Sequence, residues 1–292
     1  MNTCWQVTRF DIDLRRPRVM GIVNVTPDSF SDGGRHAGTS AAMAHAERLL
    51  KEGADILDIG GESTRPGSPA VLLDEELARV LPVVKEAVRL QVPVSVDTYK
   101  PEVMQAVLDA GADIINDIWA LRQAGAREII AAHPRSGVCL MHMHQTPQTM
   151  HLEHMQADPV APVRQFLAEQ VACLEQLGVA RERITLDYGI GFGKSVEQNF
   201  ALLARQQDLL DLDLPLLAGW SRKGSLGTVT GLPVHERMVP SVTAAVLAVE
   251  RGARVVRVHD VAATVDALKV WAAVQAVPVP RSKRPEPAKG PV

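Results

Sequence analysis

Short apolar bursts punctuate this chain, each stopped by a polar residue and each followed by an amphipathic stretch. Three of them share one phrase: EGADILDIGG at 52–61, AGADIINDIW at 110–119 and RGARVVRVHD at 251–260. In each, a Gly-Ala pair precedes four or five mostly apolar residues, and the glycine suits the left-handed turn that closes a helix. Bursts this short and this rich in Val and Ile predict strands covered on both faces. Five more follow the same plan: RVMGIVNV (18–25), VPVSVD (92–97), GVCLMHM (137–143), RITLDYG (183–189) and LPLLAGWS (214–221).

Helical spacing fills the intervals. PEVMQAVLDAG opens on Pro101, suited to a first helical turn, and closes on Gly111. VRQFLAEQVACLEQLG places Val163, Phe166, Leu167, Val171, Leu174 and Leu177 along one stripe, and VAATVDALKVW does the same with Val261, Val265, Leu268 and Ala272. Eight strands, each followed by helical sequence, predict parallel pairing and closure into a (β/α)8 TIM barrel, an α/β fold in a single domain. An open doubly wound sheet is the alternative. That fold carries a glycine fingerprint after its first strand, where this chain has the polar loop NVTPDSFSDGG. The barrel is expected over 18–277, after an N-terminal extension at 1–17. Residues 278–292 are rich in Pro and charge and predict a disordered tail.

Composition narrows the class of protein. The chain has 292 residues, 46% hydrophobic and 22% charged, with net charge −3. A slightly acidic balance disfavours nucleic acid as a partner, because phosphate backbones recruit clustered Lys and Arg. No apolar run has the length of a membrane span, and the first residues have no stretch suited to a signal peptide. Cys4, Cys139 and Cys173 are odd in number and widely spaced, which reads as reduced thiols in a cytoplasmic protein.

Chemistry in such a barrel sits at the C-terminal ends of the strands. Those ends carry Asn24, Asp58 with Glu62, Asp97, Asn116 with Asp117, His142, Asp187, Ser221 with Lys223, and Arg257 with His259. Charges brought into a barrel mouth must meet each other or a polar ligand. A rim of ion pairs made only for stability is the competing reading. Carboxylates and an amide (Asp97, Asn116, Asp187) can pair with a flat heterocycle bearing N–H donors and carbonyl acceptors. Asn24, Arg65, Arg257 and His259 suit an anion or a metal-bound diphosphate. DYGIGFGKS at 187–195 ends in Gly-Lys-Ser, but a phosphate-binding loop needs glycine at 188, which is Tyr188. The working group there is Asp187, its glycines letting the backbone turn beside a flat ligand, and Lys223 rather than Lys194 is the functional lysine. The histidines of MHMHQTPQTMHLEHM lack the carboxylate or cysteine spacing of a zinc site. GWSRKG lacks the nucleophile elbow of a serine hydrolase.

MGIVNVTPDSFSDGG, DIGGESTRPG, VSVDT, NDI, LMHM, GFGK, SRK and RVHDV resemble, in order, the motifs of the dihydropteroate synthases, from about Val19 to Trp271. The first two blocks are long and specific. The resemblance implies a homodimeric, cytoplasmic transferase of folate synthesis and a sulfonamide target. Its expected reaction joins 6-hydroxymethyl-7,8-dihydropterin diphosphate to p-aminobenzoate with Mg2+, giving 7,8-dihydropteroate and pyrophosphate. By the same resemblance Asp97, Asp187, Lys223 and Arg257 are the catalytic candidates. With Asn116, Met141 and Phe192 they form the expected pterin site. Asn24, Thr64, Arg65, Arg257 and His259 are expected to hold the diphosphate, with Asn24 also at the metal. Phe30, Arg65, Pro66, Ser221 and Lys223 are expected to receive p-aminobenzoate, Asp28 to Phe30 and Thr64 to Arg65 lying in closing loops. Departures from the family pattern are Tyr99 after VDT, Tyr188 for Pro, Ile190 for an aromatic, Gly224 for Ser after SRK, and HMHQTP for HMQGxP. They bear on the second-substrate site and on sulfonamide affinity. Two rivals share the barrel type. A corrinoid methyltransferase would have no use for ESTRPG or for the Arg-x-His pair, and a non-catalytic pterin-binding paralogue would bind without releasing pyrophosphate.

Overall fold

The computed structural model describes residues 3–25, 34–63, 70–146, 149–150 and 153–278. Eight parallel strands close into a barrel: β3 (Arg18–Asn24), β4 (Ile56–Gly60), β5 (Val94–Asp97), β6 (Ile114–Asp117), β7 (Gly137–Met141), β8 (Ile184–Asp187), β9 (Leu216–Ala218) and β10 (Ala253–Val258), with β10 pairing back onto β3. Around them lie α1 (Gly34–Lys51), α2 (Leu73–Ala87), α3 (Pro101–Asp109), α4 (Ala126–Ala132), α5 (Val160–Gln176) and α6 (Val196–Ala204). Two helices, α7 (Gly224–Thr230) and α8 (Met238–Glu250), follow β9, and α9 (Val261–Gln275) follows β10. This is the α/β barrel that the apolar bursts predict. Each strand is shorter than its burst: β5 drops the first two residues of VPVSVD, whereas β7 stops at Met141 and leaves His142 and Met143 to the loop above it.

Local chemistry accounts for several boundaries. Pro101 begins α3, where its missing N–H costs nothing. Ser195 and Gln198 form a reciprocal capping box at the start of α6, so the serine of Gly-Lys-Ser is a helix cap. The α5 stripe buries Val163, Leu167, Val171 and Leu174, but Leu177 is 45% exposed because the helix ends at Gln176. In α9 Val261 and Leu268 are buried, whereas Ala272 is exposed in the final turn, past the edge of the barrel wall.

Ahead of the barrel, β1 (Cys4–Gln6) and β2 (Asp11–Asp13) form an antiparallel hairpin. Their Trp5, Val7, Ile12 and Leu14 pack with Met20, Ile56, Ile114, Cys139, Leu217 and Val255 as one buried cluster. The Trp5 indole N–H donates to the Arg183 carbonyl at 3.0 Å. Arg9 pairs with buried Asp113, which also accepts the Val94 N–H. The hairpin thus plugs the N-terminal end of the barrel. Side chains in a strand alternate faces with a period of two. Stepping two residues on from Ile56, Ile114, Cys139 and Val255 therefore keeps Asp58, Asn116, Met141 and Arg257 on the same inner face, nearer the other end.

Candidate active site

Strand register aligns the polar residues. Asn24 pairs with Gly60, Gly60 with Asp97, and Asp97 with Asn116, which makes one row across β3 to β6; on the far side Met141 pairs with Asp187. Above these strand ends opens a cavity of about 950 Å³. Its lining includes Asn24, Asp97, Asn116, Met141 and Asp187 from the strand ends, with Phe192, Ser221, Lys223, Arg257 and His259 around them. Thr64, Arg65, Pro66, Asp28 and Phe30 lie outside the described residues.

Arg257 organises the floor. Its Nε donates to Asp58 Oδ2 at 2.6 Å and its Nη2 to Asp97 Oδ2 at 2.7 Å, while Asn116 Nδ2 donates to Asp58 Oδ2 at 3.3 Å. Burial pushes the Asp97 carboxyl up to about 7, against the pull of the Arg257 guanidinium. Here the cost of removing the charge from water exceeds the gain from one arginine that Asp97 shares with Asp58. The second oxygens of both carboxylates, Asp58 Oδ1 and Asp97 Oδ1, are buried and accept no hydrogen bond from the described residues. Such atoms are costly in a closed core and well placed in a binding cavity.

Asp187 and Lys223 both line the mouth and attract each other electrostatically. Asp187 Oδ1 accepts the Gly189 N–H at 2.7 Å, and burial raises its pKa. The Lys223 ammonium sits 4.1 Å from the centre of the Phe192 ring, and burial lowers it to about 8, with Asp187 opposing that shift. Ser221 Oγ accepts the His259 N–H at 3.1 Å and lies 2.9 Å from His259 Nδ1, which staples the loop after β9 to the loop after β10. Arg222 reinforces the staple through Asp260 at 2.7 Å, itself held at φ 58°, a left-handed conformation that sets the turn leading to Lys223.

Not every member of the expected ring reaches the mouth. Asp117 turns its carboxylate to the N–H groups of Trp119 and Leu121, both at 2.7 Å. The His142 ring is buried edge-on against Phe166, 5.0 Å between centres. The glycines of the 187–195 segment, all at positive φ, also permit a close approach between loops. A Cβ on Gly189 (φ 68°) would lie 1.9 Å from the His142 carbonyl oxygen, and one on Gly193 (φ 70°) 2.6 Å from His144 Cβ. These two positions let the loop after β8 press against the loop after β7. Gly191 is the one that borders Lys223.

Of the family departures, Ile190 and Gly224 line the cavity, whereas Tyr99 and Tyr188 do not. The Tyr188 hydroxyl donates to Gln206 at 2.8 Å and accepts from the Trp220 indole at 3.2 Å, in the core outside the barrel. Tyr99 donates to Glu62 at 3.1 Å, and Lys100 bridges Glu62 and Glu76. Arg79, Asn199 and Arg237 also line the cavity, and the strand-end reading misses them because helices or their caps supply them. Asn199 donates to Ser225 Oγ and accepts the Gly191 N–H, and the Arg237 guanidinium packs where a Cβ on Gly227 would be, reaching the carbonyls of Arg222 and Lys223.

A closed parallel barrel whose C-terminal mouth carries carboxylates, an amide and cations around one cavity has the architecture of a TIM-barrel enzyme. Residues 20–259 match the family described as pterin binding enzyme. A dihydropteroate synthase of Neisseria meningitidis serogroup B is 49% identical over 276 residues, covering 92% of this chain and 97% of the relative. The structure of Xanthomonas albilineans dihydropteroate synthase with 4-aminobenzoic acid superposes with a TM-score of 0.89 at 52% identity, covering 95% of this chain and all of that one. That of Burkholderia cenocepacia dihydropteroate synthase with 7,8-dihydropteroate gives 0.85 at 53% identity, over 94% and 97% of the two chains. The chain belongs to the dihydropteroate synthase family of pterin-binding enzymes, which are transferases.

Proposed function

We propose that this enzyme condenses 6-hydroxymethyl-7,8-dihydropterin diphosphate with p-aminobenzoate, forming 7,8-dihydropteroate and pyrophosphate. The observation that carries the reading is the convergence of Asp97, Asn116, Asp187, Lys223 and Arg257 on one cavity. Relatives of half-identical sequence bind 4-aminobenzoic acid and 7,8-dihydropteroate, the second substrate and the product.

In this reading Asp97, Asn116 and Asp187 take the N–H edge of the pterin. Asp97 Oδ1, buried with no hydrogen-bond partner among the described residues, is suited to accept from it. Lys223 donates to a ring acceptor, and its contact with Phe192 holds its ammonium over the ring pocket. The C–O bond between the pterin methylene and the diphosphate breaks, and both bonding electrons leave with pyrophosphate. Carboxylates at the floor stabilise the cationic pterin, and the half-dry mouth strengthens that effect over bulk water. The amine of p-aminobenzoate then forms the C–N bond and loses a proton, a step that needs position more than a strong base. Phe30, Arg65, Pro66, Ser221 and Lys223 are proposed for the second substrate, and Asn24, Thr64, Arg65, Arg257 and His259 for the diphosphate.

Magnesium is proposed as the cofactor, with Asn24 as its protein ligand. Among the described residues no three His, Cys, Asp or Glu side chains converge as a cation cage. A single amide oxygen beside the diphosphate residues suits an ion held mainly by phosphate oxygens and water. When bound, it would neutralise charge on the departing pyrophosphate. We also propose a homodimer: Met238, Val239 and Leu247 of α8 and Val270 and Val274 of α9 are large aliphatic side chains left exposed. Sedimentation at micromolar concentration would return a monomer mass if that is wrong. Cys139 and Cys173 form no disulfide among the described residues, which fits a reducing cytoplasm, and no described helix is long and apolar enough to cross a membrane.

Pyrophosphate release on mixing the two substrates tests the function, run with and without EDTA. Release that stops on chelation and returns with Mg2+ is expected. Pterin binding without release would instead identify a non-catalytic binding protein. Complementation of a strain lacking this step is the matching test in cells.

A further inference from the structure

Lys194 lines the cavity but takes no part in the chemistry above. It is only 4% exposed, and its Nζ donates to the carbonyl oxygens of Gly189 at 2.7 Å, Phe192 at 3.1 Å and His142 at 3.3 Å. Three acceptors match the three N–H donors of an ammonium group, and a neutral amine has only two. Burial pushes this amine down to about 7, with Asp187 opposing the shift and Lys223 adding to it. The carbonyls therefore hold a charge that the surroundings otherwise disfavour, which is the situation in which a hydrogen bond to an ion counts most.

The three acceptors lie on two different loops, each tied to a pterin-facing group. The His142 N–H donates to the Asp187 carbonyl at 2.9 Å, and the Gly189 N–H to Asp187 Oδ1 at 2.7 Å. Phe192 closes the same turn through its N–H to the Gly189 carbonyl at 3.3 Å. The close approach that Gly189 and Gly193 permit is thus fastened from inside by one ammonium.

We propose that Lys194 is a positioning residue for the pterin: it ties the loop after β7 to the loop after β8 and so fixes Asp187 and Phe192 against the ring, without touching the diphosphate. The inference rests on the functional reading given above, since it takes that cavity to be the pterin site. With its N–H donors committed to backbone, Lys194 has none to offer a phosphate.

The test compares wild type with Lys194→Met by calorimetric titration against two probes, 6-hydroxymethyl-7,8-dihydropterin and its diphosphate. Losing hydrogen bonds from a charged donor is expected to weaken both by about 10- to 100-fold. The affinity ratio between the two probes stays as in wild type, and amide exchange speeds up at residues 189–193 while β10 and α9 keep theirs. If only the diphosphate form loses affinity, Lys194 is a phosphate ligand and the proposal fails. Affinities within twofold of wild type, or exchange accelerated throughout the barrel, also overturn it. Wild type that binds neither probe removes the pterin reading itself, a separate failure. Should the Met variant not fold, Lys194→Gln, with two donors on a shorter arm, is read the same way.

Discussion

At the N-terminal end of the barrel the inward residues Met20, Ile56, Ile114 and Val255 close against Trp5 and Leu14. Two residues further along three of those strands, the inward residues are Asp58, Asn116 and Arg257, and Asp58 Oδ1 is buried with no hydrogen-bond partner among the described residues. One end is packed to be stable. The other keeps charges out of water at a cost that packing elsewhere must offset. A substitution should therefore move stability at one end and activity at the other.

The largest effect is expected at the plug. Trp5→Ala removes a fully buried indole and should cost about 3–5 kcal/mol in urea denaturation, leaving the KM for the pterin substrate unchanged in folded protein. At the mouth, Asp97→Asn should slow turnover by about 10²-fold in a radiolabelled p-aminobenzoate assay, as expected for losing one charge-stabilising group. Unchanged turnover would remove Asp97 from the proposed chemistry.

The pH dependence sharpens the contrast further. The reading needs Asp97 ionised and Lys223 protonated, so kcat/KM should rise through about 7 and fall through about 8, giving a narrow bell. A flat profile from pH 6 to 9 would contradict those roles. The smallest effect on stability has the opposite sign from the plug. Lys223 has its folded pKa lowered from 10.5 to about 8, so the fold binds fewer protons than the unfolded chain between those values. Its charge thus destabilises the fold below about pH 8, and stability returns as pH rises toward 10.5. Lys223→Met should accordingly abolish activity yet raise Tm by about 2 °C at pH 7. A lower Tm would show that the contact with Phe192 outweighs desolvation.

The barrel and its floor are legible in the sequence because both follow from a period of two and a polar stop. Ile56 and Asp58, or Val255 and Arg257, announce both their face and their depth. The plug is not legible: β1 and β2 have three residues each, too few for a pattern, and Trp5 matters through a contact with Arg183, 178 positions away. Arg237 and Asn199 reach the cavity from helices, where nothing local marks them. Lys194 is the clearest case. Its partners are backbone carbonyls, which every residue has, so no choice of side chain nearby records them.

The most direct measurement is a crystal structure with 6-hydroxymethyl-7,8-dihydropterin diphosphate bound. The account predicts the pterin ring within hydrogen-bonding distance of Asp97, Asn116 and Asp187, with its diphosphate toward Asn24 and His259. A ring lodged instead in the separate hollow beside Tyr99, Trp119 and Gln123 would contradict it.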